Sequence, residues 1–246
     1  MRTTLATAAT AATTAIAPGL LCWLLAAVRL SAAGDAAGAA APAPRYLALG
    51  DSYTIGEGVE ASGRWPAQLA ALLRRSGKPV GEPEIVARTG WTTAELDAGI
   101  DAAAPRGSYA LVSLLIGVND QYRGGRPEDY RHGFAALLRR AIAFAGGEPR
   151  RVIVLSIPDW SVTPFAAASG RDLPRTAREI RLFNDVNREE TRRAGARYVD
   201  ITPISERALG DHALLAADGL HPSAAMYADW ARLALPEATA ALAGER

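Results

Sequence analysis

The sequence predicts an α/β protein: a three-layer α/β/α sandwich around a five-stranded parallel sheet. Two observations predict it. From residue 45 onward, five short apolar runs suited to buried strands alternate with segments whose apolar residues recur at helical spacing. Polar, glycine-containing segments follow several of those runs, as expected where functional loops leave the carboxyl ends of parallel strands.

The strands are predicted over residues 46–49, 84–87, 110–116, 152–157 and 198–201. Between the first two, Trp65, Leu69, Leu72 and Leu73 fall at i, i+4, i+7 and i+8, one stripe of a helix. Thr92 followed by Glu95 is a capping box that opens a helix over 93–104. Tyr130, Phe134, Leu137, Leu138 and Ile142 mark the next helix. Residues 173–194 form a charged helix with Ile180, Phe183 and Val186 inward. Its arginines alternate with acidic residues, the pattern of a solvated face. Met226, Trp230 and Leu233 mark a last helix, which Pro236 is expected to kink or end. Right-handed crossovers then cover both faces of the sheet.

Residues 1–44 are a different kind of chain. They hold three charges (Arg2, Arg29 and Asp35), and the remainder holds the other 50. The apolar run 20–28 suits the core of an export signal and is short of the roughly 20 residues of a membrane span. Ser31-Ala32-Ala33 fits a cleavage site, and 34–44 an Ala/Gly/Pro linker. Three readings stay open: a cleaved export signal giving a periplasmic or secreted protein, an uncleaved membrane anchor, or an extension without targeting value. The folded domain is expected over 45–246.

With 27 basic and 26 acidic residues, the composition argues against a general nucleic-acid binder. The single cysteine, Cys22, excludes a disulfide within the chain and a cysteine-rich zinc site.

The strand ends carry the chemistry. The first strand runs into Gly50-Asp51-Ser52-Tyr53, the second into Arg88-Thr89-Gly90-Trp91, and the third into Gly117-Val118-Asn119-Asp120. After the fifth comes Asp218-Gly219-Leu220-His221-Pro222. Taken alone, Ser52 reads as a helix cap, Gly90 as a turn glycine, and Asn119 and Asp120 as loop residues. Together they supply a nucleophile, a base, an orienting carboxylate and oxyanion donors on one rim, the parts of an acyl-transfer site. His132 and His212 read as ordinary helix and loop residues. His221 differs because Asp218 stands three residues before it.

These blocks resemble those of the SGNH hydrolases, also called GDSL-type esterases and lipases, in which Ser, Gly, Asn and His occur in that order. The resemblance spans residues 50–222. Tyr53 stands where the family often has Leu, and the Gly90 block is the least distinctive. The resemblance implies a flavodoxin-like fold with sheet order 2-1-3-4-5. It also implies a Ser52 nucleophile, a His221 base and an orienting Asp218. The oxyanion hole would comprise the backbone N–H groups of Ser52 and Gly90 and the amide of Asn119. The reaction would be hydrolysis of small or short-acyl esters or thioesters, without cofactor or metal. A carbohydrate O-acetyl esterase, a lysophospholipase and a thioesterase all fit. The partner implied is a small-molecule ester, and a membrane enters only through the leader. Thr54 departs from the Gly-x-Ser-x-Gly elbow of α/β-hydrolases.

Trp91 and Trp160 either wall an acyl site or serve ordinary packing. Tyr53 and Glu57 either meet the leaving group or begin a helix, and 162–173 is a candidate rim loop. The rival class is a non-catalytic flavodoxin-like domain whose loop 50–58 cradles a phosphate. That rival leaves Asp218-x-x-His221 unexplained.

Overall fold

A computed structural model describes residues 43–243. Apart from its last two residues, the expected leader lies outside them. Among the described residues no helix is long and apolar enough to cross a membrane.

The chain opens with strand β1 (Tyr46–Gly50), a one-turn helix α1 (Ser52–Ile55) and α2 (Trp65–Arg75). Then come β2 (Pro83–Ala87), α3 (Thr93–Ala103), β3 (Leu111–Leu115), α4 (Val118–Tyr122) and α5 (Pro127–Phe144). Next are β4 (Val152–Leu155), α6 (Pro164–Ala168), α7 (Leu173–Arg193) and β5 (Arg197–Val199). The last helices are α8 (Thr202–Glu206) and α9 (Ala224–Leu242). The five strands form one parallel sheet in the order β2-β1-β3-β4-β5. The three central strands are buried along their whole length, and the edge strands β2 and β5 only in part. Continuous apolar runs therefore mark strands covered on both faces.

The layers follow from the strand order. The connection from β1 to β2 runs one way along the sheet, and the three later crossovers run the other way. Right-handed crossovers then place α2 on one face and α3, α5 and α7 on the other. The contacts agree: α2 packs on α9, while α3 packs on α5 and α5 on α7. The reversal opens a crevice at the carboxyl ends of β1 and β3, where ligands bind in sheets of this order.

Strand four ends earlier than the sequence predicts. Asn184 of α7 accepts from the Ile157 N–H at 2.7 Å and donates to its C=O at 2.9 Å. Those buried groups are satisfied by a side chain instead of a neighbouring strand. Ser156 Oγ accepts from Ile201 N–H at 2.8 Å, which turns the chain out of β5 before its expected end.

Pro236, expected to kink or end the last helix, does not end it. The helix continues through Pro236 to Leu242, carried by Ala234, Ala238 and Ala241, which are buried. The apolar contact of that final turn and a half outweighs the backbone hydrogen bond that proline removes. Leu233 is 43% exposed, because the inward stripe runs through Met226, Tyr227, Trp230 and Ala231. The capping box at Thr92 forms as expected, with Glu95 accepting from Thr92 N–H at 2.8 Å. In α7, Ile180, Phe183 and Val186 face inward, and Arg175 pairs with Glu179 on the outer face at 2.8 Å.

Candidate active site

The register sets the rim. Gly50 of β1 lies opposite Ala87 of β2 and Leu115 of β3, so the three loops that follow leave the sheet at one level. Gly50 is required there, since a Cβ would lie 2.2 Å from Thr54 Oγ1 and 2.4 Å from the Leu115 carbonyl oxygen.

Ser52 heads α1. Asp51 caps that turn, accepting from Tyr53 N–H at 3.0 Å. Asp51 is fully buried, and burial pushes its carboxyl up to about 8 against the opposing effect of that hydrogen bond. Ser52 itself is 5% exposed, and its Oγ lies 2.9 Å from His221 Nε2.

His221 is held from three sides. Its C=O accepts from Ala216 N–H at 2.7 Å, within a short antiparallel bridge between Leu215 and Pro222. Its ring packs on the buried Tyr53 ring, with centroids 5.1 Å apart. Its Nδ1 lies 2.6 Å from Asp218 Oδ2. The other Asp218 oxygen accepts the backbone N–H groups of Leu220 and His221 at 2.9 and 3.0 Å. Burial works to raise the Asp218 carboxyl, but the hydrogen bonds from the His221 ring and the two N–H groups hold it below its ordinary value. Asp218 is thus ionised at neutral pH, and its two oxygens have separate tasks.

Asn119 lies on α4, immediately after β3, and its Nδ2 donates to the Trp91 C=O at 3.0 Å. An amide nitrogen carries two protons, so one remains for the cavity. Gly117, which starts this turn, has φ +122, and a Cβ there would lie 2.4 Å from the Tyr130 hydroxyl oxygen. That hydroxyl is committed to the Ile116 C=O and to Asn187 Oδ1, so it is not free to move away. Gly117→Ala is therefore expected to cost about 1–3 kcal/mol of stability, read from urea unfolding midpoints. Gly90 has φ +85, also a glycine conformation. Among the described residues, the N–H groups of Ser52 and Gly90 have no protein acceptor.

Ser52, Gly90, Asn119 and His221 border one cavity of about 200 Å³, walled by Val118, Tyr122, Trp160, Phe165 and Leu220. Trp160 is fixed by its indole N–H, which donates to Gln121 Oε1 at 2.9 Å. Of the two tryptophans singled out in the sequence, Trp160 lines this cavity and Trp91 does not. The Trp91 ring lies over α3, where Gly99 makes room: a Cβ at Gly99 would be 2.2 Å from the indole. Only the Trp91 backbone serves the site, through its C=O.

Tyr53 and Thr89 border the cavity, whereas Glu57 does not line it and accepts a hydrogen bond from Thr89 Oγ1. The segment 162–173 is more ordered than a loop. It holds α6, whose Phe165 faces the cavity. Sequence reasoning missed Tyr122, Phe165 and Leu220. Their only advance signal was an apolar residue beside a chemistry-bearing one, as Leu220 stands beside His221. His132 and His212 are exposed and away from the cavity.

A parallel sheet covered on both faces, with hydroxyl, imidazole and carboxylate in series at its switch point, defines an α/β protein of hydrolase type. Residues 48–228 match the model of the GDSL-like Lipase/Acylhydrolase family, and the chain belongs to that family. It is a carboxylic ester hydrolase, with a small-molecule ester as substrate. Its fold is similar to that of TesA, with TM-score 0.62, 23% identity, and coverage of 80% of this chain and 99% of that one. LAE5, an alpha/beta hydrolase enzyme from the metagenome of Lake Arreo, Spain, is similar at TM-score 0.57 and 25% identity, over 81% of this chain and 96% of that one. Axe2, an acetylxylan esterase from Geobacillus stearothermophilus, is similar at TM-score 0.57 and 20% identity, over 79% and 94% of the respective chains. No curated protein matches the chain in sequence.

Proposed function

We propose that the protein hydrolyses short-acyl carboxylic esters through an acyl-enzyme on Ser52. One observation carries this reading: the Ser52–His221–Asp218 series, with spacings of 2.9 and 2.6 Å, at the mouth of an apolar cavity of about 200 Å³. Ser52 Oγ attacks the ester carbonyl as its proton passes to His221 Nε2. The carbonyl oxygen becomes an oxyanion, which receives the N–H groups of Ser52 and Gly90 and the free N–H of Asn119. As the intermediate collapses, His221 returns the proton to the departing alcohol. Water then attacks the acyl-enzyme by the same route, releasing the acid and restoring Ser52. Asp218 fixes the imidazole tautomer and stabilises the imidazolium that forms twice per turnover.

Cavity size sets the substrate class. At about 200 Å³ it is smaller than the roughly 300–1,000 Å³ of sites that enclose drug-sized ligands. Its walls are aromatic and aliphatic, which suits a short acyl chain better than a long one. A narrower reading within this class is an O-acetyl esterase acting on sugars. It is favoured by the partly exposed aromatic ring of Phe165 bordering the cavity, which suits stacking against a sugar ring.

A series of p-nitrophenyl esters tests the size argument. We expect kcat/KM to peak at acetate to butyrate and to fall at least about tenfold by octanoate. A kcat/KM that keeps rising with chain length would overturn the short-acyl assignment.

A further inference from the structure

Gly90 lies at the pivot of the oxyanion loop, and glycine alone cannot hold a peptide plane in place. The loop is fixed from α4 and from Arg123, which caps that helix. Asn119 and Arg123 stand four residues apart, the spacing that places two side chains on one helical face. Asn119 Nδ2 donates to the Trp91 C=O at 3.0 Å, and Arg123 Nη2 donates to the Gly90 C=O at 2.6 Å. Two consecutive carbonyls of the loop are thus held by neighbouring side chains.

The Arg123 guanidinium is itself held. Its Nη1 lies 3.1 Å from Glu95, which accepts from the Thr92 N–H at 2.8 Å and from the Thr92 hydroxyl at 3.0 Å. Hydrogen bonds from the Thr92 backbone and then from Arg123 keep the Glu95 carboxyl below its ordinary value, so it stays an anion near neutrality. Arg123 therefore joins the Gly90 carbonyl to the first turn of α3. A planar guanidinium can hold a carbonyl and a carboxylate at once, which the single ammonium of lysine matches poorly.

The Arg123 side chain is half exposed and contributes little to the core. A stability role is thus a weak reason for its placement, since exposed ion pairs contribute about 0–1 kcal/mol.

We propose that Arg123, anchored by Glu95, is a positioning residue that holds Gly90 with its N–H aimed at the oxyanion. It touches no reacting atom and acts through Gly90. The inference rests on the reading above in which Gly90 N–H is an oxyanion donor. A displacement of about 1 Å in a catalytic group costs on the order of a hundredfold in rate, and outright loss of an oxyanion donor costs about 10²–10³.

Steady-state kinetics on p-nitrophenyl acetate and inhibition by a short alkyl boronic acid, a tetrahedral mimic, test it with Arg123→Ala, Arg123→Lys and Asn119→Ala. Arg123→Ala is expected to lower kcat about 10- to 100-fold with KM within about twofold, and to weaken boronate binding by a similar factor. Arg123→Lys should fall between Arg123→Ala and the parent, because it can still donate to the Gly90 C=O. Thermal melting should shift little in either variant.

Asn119→Ala separates this inference from the reading beneath it. If Asn119→Ala loses about 100-fold or more in kcat while both Arg123 variants keep the parent kcat and boronate affinity, the oxyanion reading stands and the role of Arg123 falls. A rise in KM alone in the Arg123 variants would make Arg123 a substrate-binding residue and would likewise overturn the proposal. If Asn119→Ala keeps the parent kcat, the oxyanion reading itself fails, and the proposal fails with it.

Discussion

Ser52→Ala will lower hydrolysis of a chromogenic acetate ester by about 10⁴- to 10⁶-fold while leaving the fold intact. The substitution removes the attacking oxygen and nothing that holds the turn. The cap of α1 is the Asp51 side chain, and the hydrogen-bond partner of Ser52 Oγ is His221 Nε2. The residual rate would come from a bound ester and oriented donors acting on water. Turnover and a thermal melt on the same preparation decide the matter, together with a fluorophosphonate probe. The probe is expected to label the parent protein at Ser52 and to leave the variant unlabelled. Turnover within tenfold of the parent would remove Ser52 from the mechanism and place the nucleophile elsewhere.

Asp218→Asn carries the second largest expected effect, a loss of about 10⁴-fold in kcat. The geometry explains why a nearly isosteric change is so severe. One carboxylate oxygen accepts the N–H groups of Leu220 and His221 at 2.9 and 3.0 Å, and the amide oxygen of Asn can keep that place. The amide nitrogen must then face His221 Nδ1, where the parent has an acceptor 2.6 Å away. Two N–H groups cannot face each other, so the ring proton moves to Nε2. The nitrogen facing Ser52 then cannot take its proton. The loop stays in place and the base is lost. A folded Asp218→Asn variant whose kcat stays within tenfold of the parent would show that Asp218 does not set the tautomer.

Much of the architecture was legible because it depends on short-range patterning. The continuous apolar runs of β1, β3 and β4 announced strands buried on both faces, and Thr92 with Glu95 announced the start of α3. The strand order came only from family resemblance. The structure differs where a distant residue outweighed a local rule. Pro236 stays inside α9 because Ala234, Ala238 and Ala241 are buried against the rest of the domain. Strand four stops at Leu155 because Asn184, nearly thirty residues away in sequence, satisfies the Ile157 backbone.

The same division holds at the site. The sequence by itself determined the candidate reacting groups and their order along the chain: a hydroxyl after the first strand, an amide after the third, and a carboxylate three residues before an imidazole. Those are local facts of residue type and spacing. Only the tertiary structure decided that Trp160 and Phe165 wall the cavity while Trp91 turns away onto Gly99. It alone placed Ser52 within 2.9 Å of a histidine 169 residues further on, and set Arg123 on the Gly90 carbonyl. The physical reason is that ring direction, cavity volume and carbonyl partners depend on atoms brought together by strand register and helix packing, and no local pattern encodes which of them will meet.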